Sequence, residues 1–274
     1  MGGMGKTALI RDVYQSEKVQ GMFNKLACVT IQRLFNPNDL ITSLVDQLKD
    51  QKAYERKETP KCLKYLIVLD DVLSTKEWDA IVSNFPDMGI GSRIIVTTRH
   101  ESIAMHCSGN REEKCYRLHN LEEKDAEELF TNKVFKQPKN LDGLDPELVE
   151  EAKLILKKCG GLPLAIVTIG GLLTSRPKTA LEWRKLNEHI SAELETNPEL
   201  GGIRTVLNVS YDGLPYHFKL CFLYLSIFPE DHKINRKQGY SRGVWDKSAE
   251  EISDNYFFEL LDRSMILPKV KLQW

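Results

Sequence analysis

The chain has 274 residues, 42% of them hydrophobic and 28% charged, with a net charge of −1. That length holds two or three small domains and a sizeable core, and the near-neutral balance gives no ground for DNA or another polyanion as a partner. Six cysteines (Cys28, Cys62, Cys107, Cys115, Cys159, Cys221) are scattered without C-x-x-C pairs, several of them in apolar runs. They are expected as buried free thiols of a reducing compartment, not as disulfides or zinc ligands.

In chain order, Met1-Gly2-Gly3-Met4-Gly5-Lys6-Thr7 comes first. Gly5-Lys6-Thr7 is the second half of a phosphate-binding loop, G-x-x-x-x-G-K-[ST], whose first glycine would fall one position before Met1. Glycines let such a backbone curl so that several N–H groups face one set of phosphate oxygens. Lys6 is expected at the β- and γ-phosphates and the Thr7 hydroxyl on Mg²⁺. A helix from Thr7 adds its positive N-terminal end. The competing reading of so short a signature is a glycine-rich turn.

Residues 7–15 read as a helix with Leu9, Ile10 and Val13 on one side, 26–31 as a strand, and 38–49 as a helix with the stripe Leu40, Leu44, Val45 and Leu48. A charged loop is expected over 51–61. Tyr65-Leu66-Ile67-Val68-Leu69-Asp70-Asp71 is a continuous apolar run ending in two carboxylates, the pattern of a parallel strand buried on both faces. A helix over 77–85 and a strand over 93–99 follow. Strands alternating with helices after a phosphate loop predict a doubly wound parallel α/β sheet of the phosphate-loop NTPase type. The strand that would feed the loop is missing, which is expected to leave an unpaired edge beside the strands at 66–69 and 94–97.

Past Leu121 the spacing becomes helical, over 124–135, 146–159, 163–173 and 180–194, which predicts a helical bundle. Gly160-Gly161 ends one helix and Pro163 opens the next. Further helices are expected over 206–211, 217–227 and 249–261, then a strand-like tail over 266–272. The domains are placed at 1–121, 122–200 and 201–274. No signal peptide precedes the loop, and the apolar stretch 161–173 is short and interrupted by Pro163, so no transmembrane segment is expected.

Asp70 closes a buried strand, where phosphate-loop proteins keep the acid that binds Mg²⁺. Asp71 is the candidate catalytic residue, able to orient or deprotonate an attacking water. The bland alternative is that the pair caps the next helix. Arg99, at the end of the following strand, faces the same crevice in a doubly wound fold and is a candidate for sensing a γ-phosphate. Trp78, Trp183 and Tyr211 are expected as core or interface aromatics. The histidines lack metal-binding spacing.

The succession GGMGKT, LIVLDDV, GSRIIVTTR, CGGLPLA and CFLYLSIFPED resembles the NB-ARC nucleotide-binding module of plant disease-resistance proteins. These are intracellular immune receptors with leucine-rich repeats, and the module also occurs in the apoptotic protease-activating factor. The resemblance covers nearly the whole chain, and the LSIFPED block is similar to the coiled-coil class. It implies a switch holding ADP at rest and ATP when active. By motif it implies that Gly3, Gly5, Lys6, Thr7 and Ala8 line the phosphates. Asp70 with Thr7 serves Mg²⁺, Asp71 serves hydrolysis, Arg99 senses the γ-phosphate, and Pro163 packs on the adenine. The region from Gly201 is implied to be a winged helix, here incomplete. The implied partners are nucleotide, other receptor domains or receptor proteins, and further copies of the chain in the active state. The implied location is cytoplasmic, including the periphery of the plasma membrane.

The chain departs from the pattern at several points. Leu73 stands where the class usually has Trp, the connection 51–63 looks short, and residues 238–245 replace an expected apolar helix. No Met-His-Asp motif follows; Met105-His106-Cys107 lies in the first domain and is not that motif. A truncated member is therefore expected. Two other functions compete with the switch: a phosphate-loop ATPase or small-molecule kinase with true turnover, and a non-binding remnant acting through protein contacts.

Overall fold

In a computed structural model of the chain, residues 3–31, 36–48, 63–85, 91–136, 141–196 and 201–228 are described, with a few positions between 257 and 266. The expected loop over 51–61, most of the helix over 249–261 and the tail over 266–272 lie outside these residues. Two compact units divide the chain, Met1–Leu118 and His119–Lys271.

The first unit is built on three parallel strands in the order β1 (Lys25–Thr30), β2 (Tyr65–Asp70) and β3 (Arg93–Val96). In β1 and β2, Leu26 pairs with Leu66 and Thr30 with Asp70; in β2 and β3, Leu66 pairs with Arg93 and Leu69 with Val96. Side chains alternate across a strand, so β2 feeds two separate apolar layers. Leu66 and Val68 pack with Ile10 and Tyr14 of α1 (Lys6–Gln15) and with Val19 of α2 (Glu17–Met22). Ile67 and Leu69 pack with Leu40 and Leu44 of α3 (Pro37–Leu48), Ile81 of α4 (Thr75–Val82) and Ile103 of α5 (Glu101–Cys107). Helices thus cover both faces, as the apolar run of β2 requires.

Several expectations are corrected. The helix α1 buries Ile10 and Tyr14, while Leu9 is 42% exposed; residues four apart share a helix face, and that pair, not Leu9 with Ile10, meets the sheet. For the same reason Val45 drops out of the α3 stripe and faces outward. The strand over 93–99 ends at Val96, and α2 and α5 went unpredicted because both are short. An open edge beside β2 is also overturned. It is paired on both sides, and among the described residues the outer edges of β1 and β3 have no strand partner, so the open edge falls beside 94–97 and not beside 66–69.

The second unit is helical: α6 (Glu123–Phe135), α7 (Pro146–Cys159), α8 (Pro163–Thr174), α9 (Ala180–Thr196), α10 (Gly201–Asp212) and α11 (Tyr216–Leu225). The helix α8 is apolar all round, with Ile166, Ile169, Leu172 and Leu173 fully buried, so it forms the centre of the bundle. It can lie close to α6 because Gly170 faces the Lys133 stem, where a Cβ would come within 2.8 Å. Asp145 caps α7 and Gly160 closes it in the left-handed conformation. Gly161 is also left-handed and lies so close to the Leu121 carbonyl that a Cβ would sit 2.4 Å from it. The punctuation in Cys159-Gly160-Gly161-Leu162-Pro163 is therefore a steric requirement. A polar link joins α7 to α9: Asn187 and Arg184 donate to Glu151, and Lys158 donates to the Asn187 carbonyl and side chain. Burial opposes charge on Glu151, but the hydrogen bonds from Arg184 and Asn187 outweigh it and hold its carboxyl below the usual range.

Trp183 is fully buried, edge-on to Phe130 with ring centroids 5.6 Å apart and tilted against Phe135 at 6.5 Å. Trp183→Ala is expected to cost the second unit about 3–5 kcal/mol. Chemical denaturation followed by far-UV circular dichroism checks this, and loss of the cooperative helical transition at low denaturant is the expected outcome.

Candidate functional site

The segment between Gly3 and the first turn of α1 sets the site. Gly3 and Gly5 have φ of 78° and 84°, and Met4 between them does not share that positive φ. Such alternation turns successive N–H groups toward one side, the geometry of an anion-binding concavity. Gly5 is the N-cap of α1, with no side-chain cap and no acidic residue in the first turn. The positive end of a ten-residue helix is thus left for an outside acceptor. The helix opens at Lys6, one residue before the expected start. Lys6 is half-buried, while Thr7 and Ala8 are exposed on the same turn.

The carboxyl ends of the strands supply the acids. Asp70 is the last residue of β2 and only 4% exposed. Its carboxylate receives the Thr7 hydroxyl at 3.0 Å on Oδ2 and 3.2 Å on Oδ1, and the Thr97 hydroxyl at 2.5 Å on Oδ1. Buried charge is costly unless donors surround it; here the hydroxyls of Thr7 and Thr97 approach one carboxylate. Asp71 follows in the left-handed region with φ 61°. Its carboxylate is gripped by Arg99, Nε at 3.1 Å and Nη2 at 2.7 Å, a two-point geometry that orients both groups. Arg99 is on the exposed bend just past β3.

The capping alternative for the two aspartates fails. The cap of α4 is Ser74, which receives the Glu77 N–H, while Glu77 reaches back to the Ser74 and Leu73 N–H groups. That reciprocal arrangement satisfies the helix start without either Asp. His106 pairs at the surface with Asp79, 2.8 Å away.

Gly3, Gly5, Lys6, Thr7, Ala8, Asp70, Asp71 and Arg99 all belong to the first unit, and contacts join Thr7 to Asp70 and Asp71 to Arg99. Pro163 belongs to the second unit, where it opens α8, and the adenine contact expected of it rests on the resemblance. Thr97 was missed. A threonine inside an apolar strand pattern has no signature that separates it from an ordinary β-branched residue.

Thr7 Oγ1 and the Asp70 carboxylate are hard oxygen donors within 3.2 Å of one another, a set that suits Mg²⁺. Among the described residues no three His, Cys, Asp or Glu side chains gather to hold a metal. Mg²⁺ ordinarily keeps several waters and takes its other oxygens from bound phosphates, so this pair is sufficient protein ligation for it.

Residues 1–140 match the family described as "NB-ARC domain". The chain is 33% identical over 289 residues to "Disease resistance protein RGA5" of Oryza sativa subsp. japonica, covering 97% of this chain and 25% of that protein. It is 32% identical over 291 residues to "Disease resistance protein RPM1" of Arabidopsis thaliana, covering 97% and 31%. With "Disease resistance protein RPP13" of the same plant the identity is 30% over 289 residues, covering 97% and 34%. The chain thus spans between a quarter and a third of the length of these relatives.

Burial and the Asp70 charge both bear on a neighbouring thiol. On the α1 side of the sheet the Cys28 thiol is pushed up to about 11, first by burial and then by the Asp70 charge, with Arg11 opposing. A thiol reacts through its thiolate, so at pH 8 alkylation of Cys28 in the folded protein should be about a hundredfold slower than in the unfolded chain. Removing the charge with Asp70→Asn lowers the thiol pKa and should speed the folded-state reaction. Peptide mass mapping of Cys28 after timed iodoacetamide exposure checks both.

Proposed function

Because the chain belongs to the NB-ARC family, whose domain is a nucleotide-binding module, we propose that it is the ADP/ATP-binding switch of an intracellular plant immune receptor acting in defence against pathogens. The observation that carries this reading is the Thr7–Asp70 contact, at 3.0 and 3.2 Å across 63 residues of sequence. It brings the phosphate loop against the acid at the end of β2, the pairing that phosphate-loop NTPases use.

In this reading the backbone N–H groups from Gly3 to Ala8 and the Lys6 ammonium hold the phosphates. Thr7 and Asp70 hold Mg²⁺, which when bound neutralises phosphate charge. Asp71 orients the attacking water, and Arg99 meets the γ-phosphate. The Arg99–Asp71 pair supports slow hydrolysis over rapid turnover. A carboxylate held at two points by a guanidinium is a poor base until that pair opens, and an incoming γ-phosphate offers Arg99 a competing anion. Pro163 packs against the adenine, residues 122–200 form the helical subdomain, and residues from 201 belong to a winged-helix subdomain. Other domains or proteins of the receptor, and further copies of the chain in the ATP state, are the partners. The location is cytoplasmic, including the inner periphery of the plasma membrane. In the described residues no helix is long and apolar enough to cross a membrane. The words "disease resistance" in the names of the relatives support the defence role.

Calorimetry and hydrolysis assays on residues 1–274 test the proposal. Lys6→Ala should weaken ADP binding about ten- to a hundredfold, the worth of one charge-assisted contact; unchanged affinity would reduce Gly5-Lys6-Thr7 to a turn. Asp71→Asn should bind ATP yet hydrolyse it more slowly, whereas Asp70→Asn should lose the Mg²⁺ dependence of binding. Sustained turnover of ~1 per second or faster, ordinary for enzymes, would replace the switch with a true ATPase. No nucleotide binding by the wild-type chain would leave only protein contacts.

A further inference from the structure

Thr97 lies just past β3 and is 7% exposed. Each of its polar groups is spent on the turn that carries the two aspartates. Its N–H donates to the Leu69 carbonyl at 3.0 Å, and its carbonyl accepts from the Val72 N–H at 2.9 Å. Its hydroxyl donates to Asp70 Oδ1 at 2.5 Å and accepts from the Asp71 N–H at 2.8 Å. A hydroxyl has one proton, and a carboxylate only accepts, so the direction of both bonds is determined. One oxygen atom therefore orients the side chain of Asp70 and the backbone of Asp71.

The main-chain pair would survive any substitution except proline. The hydroxyl contacts would not, and they bear on the two groups with proposed chemistry. With Oδ1 engaged by Thr97, Asp70 keeps Oδ2 toward Thr7 at 3.0 Å. Asp71 occupies the left-handed region, uncommon for a residue with a Cβ. Its N–H bond to Thr97 helps to hold that conformation, and with it the direction of its carboxylate toward Arg99.

We propose that Thr97 is a positioning residue of the nucleotide site, its hydroxyl aligning Asp70 on the metal side and Asp71 on the Arg99 side. This rests on the switch reading above. Valine has nearly the shape of threonine without the hydroxyl, and serine keeps the hydroxyl without the methyl. The pair separates hydrogen bonding from packing.

The test uses residues 1–274 as wild type, Thr97→Val, Thr97→Ser and Thr97→Ala. ATP binding is measured by calorimetry across a Mg²⁺ titration and again in EDTA. Amide exchange at Asp71 is followed by NMR on the nucleotide-free protein. Thr97→Val should raise the Mg²⁺ midpoint about tenfold or more, the worth of a hydrogen bond to a charged group. It should leave the affinity in EDTA within about twofold and accelerate Asp71 exchange while Val72 stays protected. Thr97→Ser should restore the wild-type midpoint. If Thr97→Val does not fold, Thr97→Ala against Thr97→Ser makes the same comparison. An unchanged midpoint overturns the proposal. So does an equal loss of affinity with and without Mg²⁺, which would mean that Thr97 only packs. Failure of the wild type itself to bind nucleotide is a different result: it sinks the switch reading and this proposal with it.

Discussion

A buried carboxylate at the end of the central strand is the constraint on which the first unit depends. Asp70 is 4% exposed, and no apolar neighbour compensates a charge in such a place. Donors have to be brought to it from elsewhere in the chain. Thr7 comes from the start of α1 and Thr97 from the end of β3, 63 residues before and 27 residues after it in sequence. The parallel sheet makes this possible. Parallel strands end on the same side, and helices return the chain between them, so all three segments converge outside the carboxyl edge. Burial, and after it the same carboxylate, raises the pKa of Cys28 on the α1 side of the sheet.

The arrangement also separates duties within the Asp-Asp pair. Asp70 stays in the strand, paired to Thr30 of β1, so its backbone is fixed by the ladder and its side chain by hydroxyls. Asp71 has left the ladder and taken a left-handed conformation, which swings its carboxylate to Arg99 instead. Two identical residues side by side thus meet different partners, Asp70 two neutral hydroxyls and Asp71 an exposed guanidinium. Ser74 and Glu77 close the start of α4 independently, leaving the short connection between Asp70 and Ser74 free of any capping duty.

The second unit solves a different problem. Its central helix α8 is apolar on every side and must be enclosed, which draws α6, α7 and α10 against it, with α9 packed on α7 and α10. Close approach there is set by the absence of side chains: Gly170 admits the Lys133 stem, and Gly161 admits the Leu121 carbonyl. The polar link of Glu151, Asn187, Arg184 and Lys158 then ties α7 to α9 at the edge of that apolar centre.

Much of this was legible in the sequence alone. The run Leu66–Leu69 announced a strand buried on both faces because it has no polar side of its own, and Gly5-Lys6-Thr7 announced a helix start because glycine enters the left-handed region that precedes it at no steric cost. Cys159-Gly160-Gly161-Leu162-Pro163 announced a helix boundary for the same local reason. The choice of face was not legible. Leu9 and Val45 are as apolar as Ile10 and Leu44, and only the position of the sheet decides which of them turns inward. The placement of β2 between two partners was likewise a tertiary outcome, since no strand carries its neighbour in its own residues. Thr97 is the clearest case. Its composition says only that it fits a strand, whereas its hydroxyl acquires a purpose when β3 ends beside Asp70 and leaves one proton to satisfy a buried charge.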